Sequence, residues 1–232
     1  GSYWSMLAHV QLRRNRPEEA MVLLESARRL EAAGPQVLAT LADLYVQQSM
    51  PDAAAEIYMA LIDDVRVSVD RLLQGARALL WSGQHEQARR LVEKLDGRKP
   101  AMTTEQQRAK RFVMARIHEV TGEREQALGI YESIIAEHPL HGETIMRVAD
   151  IKRERGELAE ALMLYERAAR LEEHQAQALL GQARIAVQRE DYTEAQALLR
   201  QSLRVEDSES VRAYLRDVER IAGERVHRSA GF

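Results

Sequence analysis

Histidines, carboxylates and arginines are the residues of this 232-residue chain that could support chemistry. His138 and His141 flank a proline, and two imidazoles so close together could bind a metal ion. The chain has no cysteine, which removes thiolate metal sites, disulfides and a cysteine nucleophile. It also lacks a glycine-rich phosphate loop, an HExxH motif, a nucleophile elbow and an EF-hand loop. We therefore expect no catalytic residue, no metal site and no cofactor, and we interpret the histidine pair as solvated.

Charged residues are abundant but mixed in sign, with a formal net charge of −3. Carboxylates such as Glu18, Glu160 and Glu194 stand where helices are expected to begin, and negative charge stabilises a helix N-terminus. Arginine pairs such as Arg28-Arg29 are dispersed among acids, which favours a solvated helix face over nucleic-acid binding. No stretch approaches the roughly 20 apolar residues that cross a bilayer. We expect neither a nucleic-acid partner nor membrane insertion.

The elements that must position any site are set by a repeat of two alanines. The first set has spacings of 34, 34, 39, 34 and 34 and comprises Ala20, Ala54, Ala88, Ala127, Ala161 and Ala195. The second set lies twelve residues earlier in each unit and comprises Ala8, Ala42, Ala76, Ala115, Ala149 and Ala183. Alanine at fixed points on two successive helices lets their backbones approach closely. Each unit therefore reads helix, turn, helix.

Turn-forming residues mark a junction between the two helices of each unit. They are Asn15, Ser49, Gly83, Gly122 and Gly156, with Glu190 as the one departure. All five prolines fall at expected helix boundaries, where the missing N–H does no harm. The positions of the turn-forming residues and prolines thus agree with the helix boundaries that the alanine periodicity predicts.

A 34-residue helical hairpin with small residues at these two places resembles the tetratricopeptide repeat. The resemblance covers about residues 3–207 and departs from the family pattern at Arg111 and Gln182. It implies an all-α fold, a right-handed superhelical solenoid of antiparallel helix pairs. The expected repeats are about 3–34, 35–68, 69–102, 103–141, 142–175 and 176–207.

Three segments depart from the regular repeat. Residues 1–2 look like a cloning scar, so we expect a fragment whose uncovered N-terminal face could support a homo-oligomer. The longer alanine spacing indicates a longer loop near residues 96–102, interpreted as a tolerated insertion, and a capping box of Thr104 and Gln107. Residues 208–228 are expected to form a C-terminal capping helix with one apolar face.

The resemblance also implies where a partner would bind, because in this family the first helix of each repeat lines the concave side. The expected groove residues are Leu73, Arg77, Trp81, Phe112, Arg116, Val120, Met146, Asp150, Leu180 and Arg184. An apolar floor edged by arginines suits an extended or helical segment with apolar anchors and acidic flanks. Trp81 and Phe112 have an alternative, packing between neighbouring helices, which the sequence leaves open.

The sequence therefore predicts a protein-binding scaffold, not an enzyme, within a larger bacterial assembly. A sharper alternative is the periplasmic repeat region of an exopolysaccharide export protein, a family that uses such arrays to recruit polymer-modifying enzymes. That alternative favours the bacterial periplasm over the cytoplasm. A structural, self-assembling repeat protein is the second alternative. The alanines belong to packing, so the identity of the partner does not follow from them.

Overall fold

The computed structural model describes residues 2–230, with side chains described for residues 3–224, so Gly1 of the expected cloning scar lies outside it. Over that range thirteen α-helices form and no β-strand does, which confirms the all-α prediction. The helices are α1 Ser2–Arg13, α2 Pro17–Arg29, α3 Pro35–Gln47, α4 Pro51–Ala60, α5 Val69–Trp81, α6 His85–Lys94, α7 Thr104–Val120, α8 Arg124–Glu137, α9 Gly142–Glu154, α10 Leu158–Ala168, α11 Gln175–Gln188, α12 Tyr192–Val205 and α13 Glu209–Ala230. Short 3-10 helices span Leu95–Gly97 and Glu172–His174.

The chain divides into two compact units, the first ending at Ala127 and the second starting at Leu128, within α8. In the first unit α1 packs against α2, α3 against α4 and α5 against α6, while α7 packs against α5 and α6. In the second unit α9 packs against α10, α11 against α12, and α13 against α12. We call the odd-numbered helices from α1 to α11 first helices and the even-numbered ones second helices.

The repeating alanines lie where helices meet. All twelve are at most 2% exposed, as expected of residues at a close contact between helix backbones. Larger side chains fill the space around them, and the rings of Tyr58, Tyr131 and Tyr165 on second helices are fully buried. The packing role predicted for the alanines is confirmed.

The six junctions share one backbone conformation. Asn15, Ser49, Gly83, Gly122, Gly156 and Glu190 all have positive φ, between 57° and 86°. The next residue donates its N–H to the carbonyl five positions earlier, as Glu157 does to Lys152 at 2.9 Å, which is a Schellman motif. Glu190, the departure in the sequence, therefore adopts the conformation of the glycines despite its side chain.

Two glycines inside first helices make room for tyrosine rings. A Cβ at Gly75 in α5 would lie 2.7 Å from a ring carbon of Tyr58 in α4. A Cβ at Gly181 in α11 would lie 2.4 Å from a ring carbon of Tyr165 in α10. Glycine weakens a helix interior by about 1 kcal/mol relative to alanine. The close ring contact is the physical reason for these glycines.

The long connection between α6 and α7 is bonded to an earlier loop. The guanidinium of Arg98 donates to the carbonyls of Ile62 at 2.9 Å and Asp64 at 2.8 Å, and also to that of Val67. These acceptors all lie between α4 and α5. The added residues thus tie two loops of the first unit together, a role that the interpretation as a tolerated insertion did not include.

The capping box of α7 lies one residue earlier than predicted. Thr103 Oγ1 accepts from the Gln106 N–H at 3.2 Å, and Gln106 Oε1 accepts from the Thr103 N–H at 3.2 Å. The prediction of Thr104 and Gln107 is therefore wrong by one position. The two registers are indistinguishable by residue type, because both threonines and both glutamines are adjacent pairs.

Candidate functional site

Two of the expected groove residues belong to the packed interior. Leu73 in α5 and Phe112 in α7 are each 3% exposed. Full burial of a large apolar side chain is worth about 1.5–3 kcal/mol, so these two side chains stabilise the fold and are not available to a partner. The expected groove is corrected at both positions, and for Phe112 the packing alternative is the right one.

The other expected residues of α5 and α7 reach the surface to different degrees. Trp81, at the end of α5, is 83% exposed, so the core alternative does not hold for it. Arg77 and Val120 are also exposed, while Arg116 pairs with Glu119 at 2.9 Å and is mostly covered. Since α5 packs against α7, these side chains occupy neighbouring helices of the first unit. We call Arg77, Trp81, Arg116 and Val120 the Trp81 surface.

Asp150, expected in the groove, binds a tyrosine of its own helix pair. The Tyr165 hydroxyl donates to Asp150 Oδ1 at 2.6 Å, and burial together with this bond raises the pKa of Tyr165. The first unit repeats the arrangement, with the Tyr58 hydroxyl donating to Asp43. Asp43 also accepts from Arg71 of the next first helix. This position therefore connects first and second helices.

The remaining expected residues lie in the second unit. Arg184 is exposed on α11, whereas Met146 and Leu180 are half-buried. Met146 packs against a cluster that includes Ala149 and Tyr165, and Leu180 packs against a different one. Arg184 is thus the member of this group that is most accessible to a partner.

A cleft of about 600 Å³ lies between α1 and α3, lined by none of the expected groove residues. Its volume lies within the range of about 300–1,000 Å³ usual for ligand pockets. The side chains that line it include Met6, His9, Val10, Arg13, Gln36, Val37 and Thr40. It contains a basic group and no carboxylate. The sequence signal was the exposed apolar pair Met6 and Val10, one helical turn apart.

A carboxylate with a lowered pKa lies between α2 and α3. Glu25 accepts hydrogen bonds from Arg28 Nε and from the Tyr45 hydroxyl, both at 2.8 Å. The Arg28 bond, with those of Tyr45 and Arg29, lowers the pKa of Glu25 to about 2 against the effect of burial. A carboxylate held ionised in this way supports the packing of α2 and α3 and is poorly suited to proton transfer.

One histidine of the pair, His141, has a structural role as the N-terminal cap of α9. His141 is half-buried, its Nδ1 lies 2.6 Å from Thr144 Oγ1, and it caps α9. The interpretation as a solvated pair is thus wrong for His141. Within the described side chains no three His, Asp or Glu residues come together as metal ligands. No helix of the described range is long and apolar enough to cross a membrane.

Comparisons with known proteins point to one repeat family. A family model described as tetratricopeptide repeat matches residues 147–208 and 180–216, and a second such model matches residues 1–26. None of the curated proteins matches the chain in sequence. The fold is similar to that of a tetratricopeptide repeat protein from Parabacteroides merdae, at 16% identity over 94% of this chain and 83% of that chain, with a TM-score of 0.65.

Two pilus-related structures are also similar. PilF of Pseudomonas aeruginosa shares 20% identity over 93% of this chain and 96% of that chain, with a TM-score of 0.62. PilW, described as a widely conserved type IV pilus biogenesis factor, shares 18% identity over 92% of this chain and 97% of that chain, with a TM-score of 0.65. At these identities the similarity concerns the fold.

Proposed function

The chain belongs to the tetratricopeptide repeat family, and we propose that it is a scaffold whose first helices bind a segment of a partner protein. The exposure of Trp81, which is 83% for the residue, carries the proposal. Tryptophan and arginine dominate binding hot spots, since a large ring buries much area and a guanidinium pairs with carboxylates. Arg77 lies one turn before Trp81 on the same face of α5.

The α1–α3 cleft supports a partner of the same chemistry. Met6 and Val10 offer apolar contact, Arg13 offers positive charge, and no carboxylate lines the cleft. A segment with apolar anchors and acidic groups would complement both the cleft and the Trp81 surface. In the second unit, taken by itself, Arg184 of α11 is the exposed first-helix residue that we propose for partner contact.

The test compares partner capture by the intact chain and its variants. We expect Trp81→Ala and Arg77→Glu each to weaken binding of the captured partner at least tenfold, from an affinity of roughly micromolar for a short segment. Val65→Ala, at another largely exposed apolar residue in the α4–α5 loop, is the control. Equal binding by all three variants would exclude the Trp81 surface as the site.

We also propose that this scaffold acts within a larger bacterial assembly. The description of PilW as a pilus biogenesis factor supports the idea by analogy of fold. The more specific alternative, an exopolysaccharide export machine, requires a polymer-modifying enzyme among the captured partners. Identification of those partners by mass spectrometry separates the two possibilities.

Self-assembly is a second candidate, favoured by exposed apolar side chains on α1. Tyr3 and Met6 both lie largely in solvent there. Apolar side chains exposed together on one helix are typical of surfaces that associate. Under this alternative, the mass in solution rises with concentration and Tyr3→Glu abolishes the rise. A mass that stays monomeric at all concentrations excludes it.

A further inference from the structure

An apolar groove of about 430 Å³ lies between the second helices α8 and α10, within the second unit. Its floor is formed by Ile135 of α8, Val148 of α9 and Leu164 of α10. Met163 stands at its edge and is 68% exposed. A flexible thioether at such a place adapts to different apolar side chains. The groove is formed mainly by second helices, so it is separate from the first-helix surface proposed above.

The two exposed charged residues that line this groove, Glu132 and Glu160, are acidic, whereas its two cations, Lys152 and Arg167, are half-buried. Lys152 bonds Glu157 at 2.8 Å and also pairs with Glu160, and its side chain is only 14% exposed. Glu160, in contrast, is 62% exposed. On the opposite side Glu132 is exposed and has no hydrogen-bond or ion-pair partner among the described side chains.

The second cation at the groove is already engaged. Arg167 donates to the carbonyl of Pro139, in the loop between α8 and α9. Its guanidinium therefore holds that loop and, among the described side chains, forms no ion pair with Glu132. An incoming chain meets apolar side chains flanked by two exposed carboxylates.

The corresponding groove of the first unit has no such unpaired carboxylate among its described side chains. It lies between α2 and α3 beside Met50, which precedes α4, measures about 290 Å³, and contains Glu25, which like Glu132 is five residues after a repeat alanine. Glu25 is bonded to Arg28, Arg29 and Tyr45. The larger groove with the unpartnered carboxylate thus occurs between α8 and α10.

We propose that the α8–α10 groove binds a basic amphipathic helix of a partner protein, with apolar side chains inserted between Ile135, Met163 and Leu164 and basic side chains placed against Glu132 and Glu160. Apolar anchors three or four residues apart are the usual way in which a helix occupies a groove between two others. The eleven residues of α10 extend about 16 Å, which matches a partner segment of three turns.

The test uses the intact chain with isotope-labelled methyl groups and two synthetic probes. One probe is an amphipathic peptide of leucine and lysine, and the other has the same leucines with glutamate in place of lysine. We expect the lysine peptide to shift the methyl signals of Ile135, Met163 and Leu164, and the glutamate peptide to leave them unchanged. Equal effects of both peptides, or shifts confined to other methyl groups, overturn the proposal.

A charge-matched pair of variants removes the contribution of net charge. Glu132→Lys should weaken binding of the lysine peptide about fivefold, the effect of one exposed charge pair. Glu166→Lys makes the same change at an exposed residue of α10 that does not line the groove. If both variants weaken binding equally, attraction is general and the groove is not the site. Neither variant touches Trp81 or Arg77, so this outcome is independent of partner capture at the first helices.

Discussion

The Tyr165 hydroxyl and Asp150 Oδ1 lie 2.6 Å apart and join the second helix α10 to the first helix α9. The same pair of residue types, at the same separation of 15 residues, joins α4 to α3 through Tyr58 and Asp43. Both rings are fully buried, and both also rest against a glycine of the following first helix. Each tyrosine thus contacts the first helix before its own helix and the first helix after it.

Tyr165→Phe should lower the free energy of unfolding by about 1–2 kcal/mol, because it removes a hydrogen bond to a charged group while keeping the ring. Chemical denaturation measures the difference. Tyr3→Phe, at a ring exposed on α1, should have no effect. In a double-mutant cycle, Asp150→Asn should lose most of its effect once Tyr165 is Phe, and additive effects would contradict the bond.

Gly181→Ala should destabilise the chain by about 1–2 kcal/mol, because the added Cβ lies 2.4 Å from the Tyr165 ring and overpacking outweighs the gain in helix propensity. Gly129→Ala is the matched control in α8, since nothing lies within 4 Å of its Cβ position. There the substitution should stabilise by about 0.5–1 kcal/mol. The two variants must therefore move the denaturation midpoint in opposite directions.

Glu190→Gly should be more stable than Glu190→Ala by about 1 kcal/mol, because φ is 62° there and a Cβ is strained in the left-handed region. The alanine variant removes the same side-chain contacts, so the comparison isolates the backbone. At Gly156, with φ of 81°, substitution by alanine should cost a similar amount. A Glu190→Gly variant no more stable than Glu190→Ala would argue against strain at this junction.

Glu25 should make stability depend on acid pH. Its pKa is lowered from 4.5 to about 2, so the unfolded chain binds a proton at this residue before the folded chain does. The contribution of Glu25 is complete above pH 4.5 and is lost as pH falls towards 2. Denaturation series across this window should show a smaller pH slope for Glu25→Gln than for wild type.

Much of the fold follows from the sequence because the packing is recorded in residue spacing. Ala20 and Ala54 are buried at equivalent places in successive helix pairs, so a constant spacing in the sequence corresponds to a repeated contact between helices. The turns between the two helices of each unit were also predictable from the sequence. Even the turn at Glu190 was predicted, because this residue lies between two repeat alanines. A repeat supplies each of these inferences several times over.

The site was less predictable, because exposure depends on contacts between distant parts of the chain. Phe112 and Trp81 are both large apolar residues on first helices, yet one is 3% and the other 83% exposed. From the sequence, Asp150 was predicted to line the groove, whereas in the structure it accepts a hydrogen bond from the Tyr165 hydroxyl. Gly181 carried a signal, since glycine inside a helix demands a reason, but its partner ring lies on another helix.

The bonds of Arg98 make two loops dependent on each other. Its guanidinium supplies donors for the carbonyls of Ile62, Asp64 and Val67 in the α4–α5 loop. A version of the chain shortened to the regular 34-residue spacing would remove this donor and leave the carbonyls of Ile62 and Val67 to water, while the Asp64 carbonyl would keep the bond from the Val67 N–H at 3.0 Å. When helical hairpins are exchanged between such repeat arrays, the α4–α5 and α6–α7 connections must therefore be transferred together.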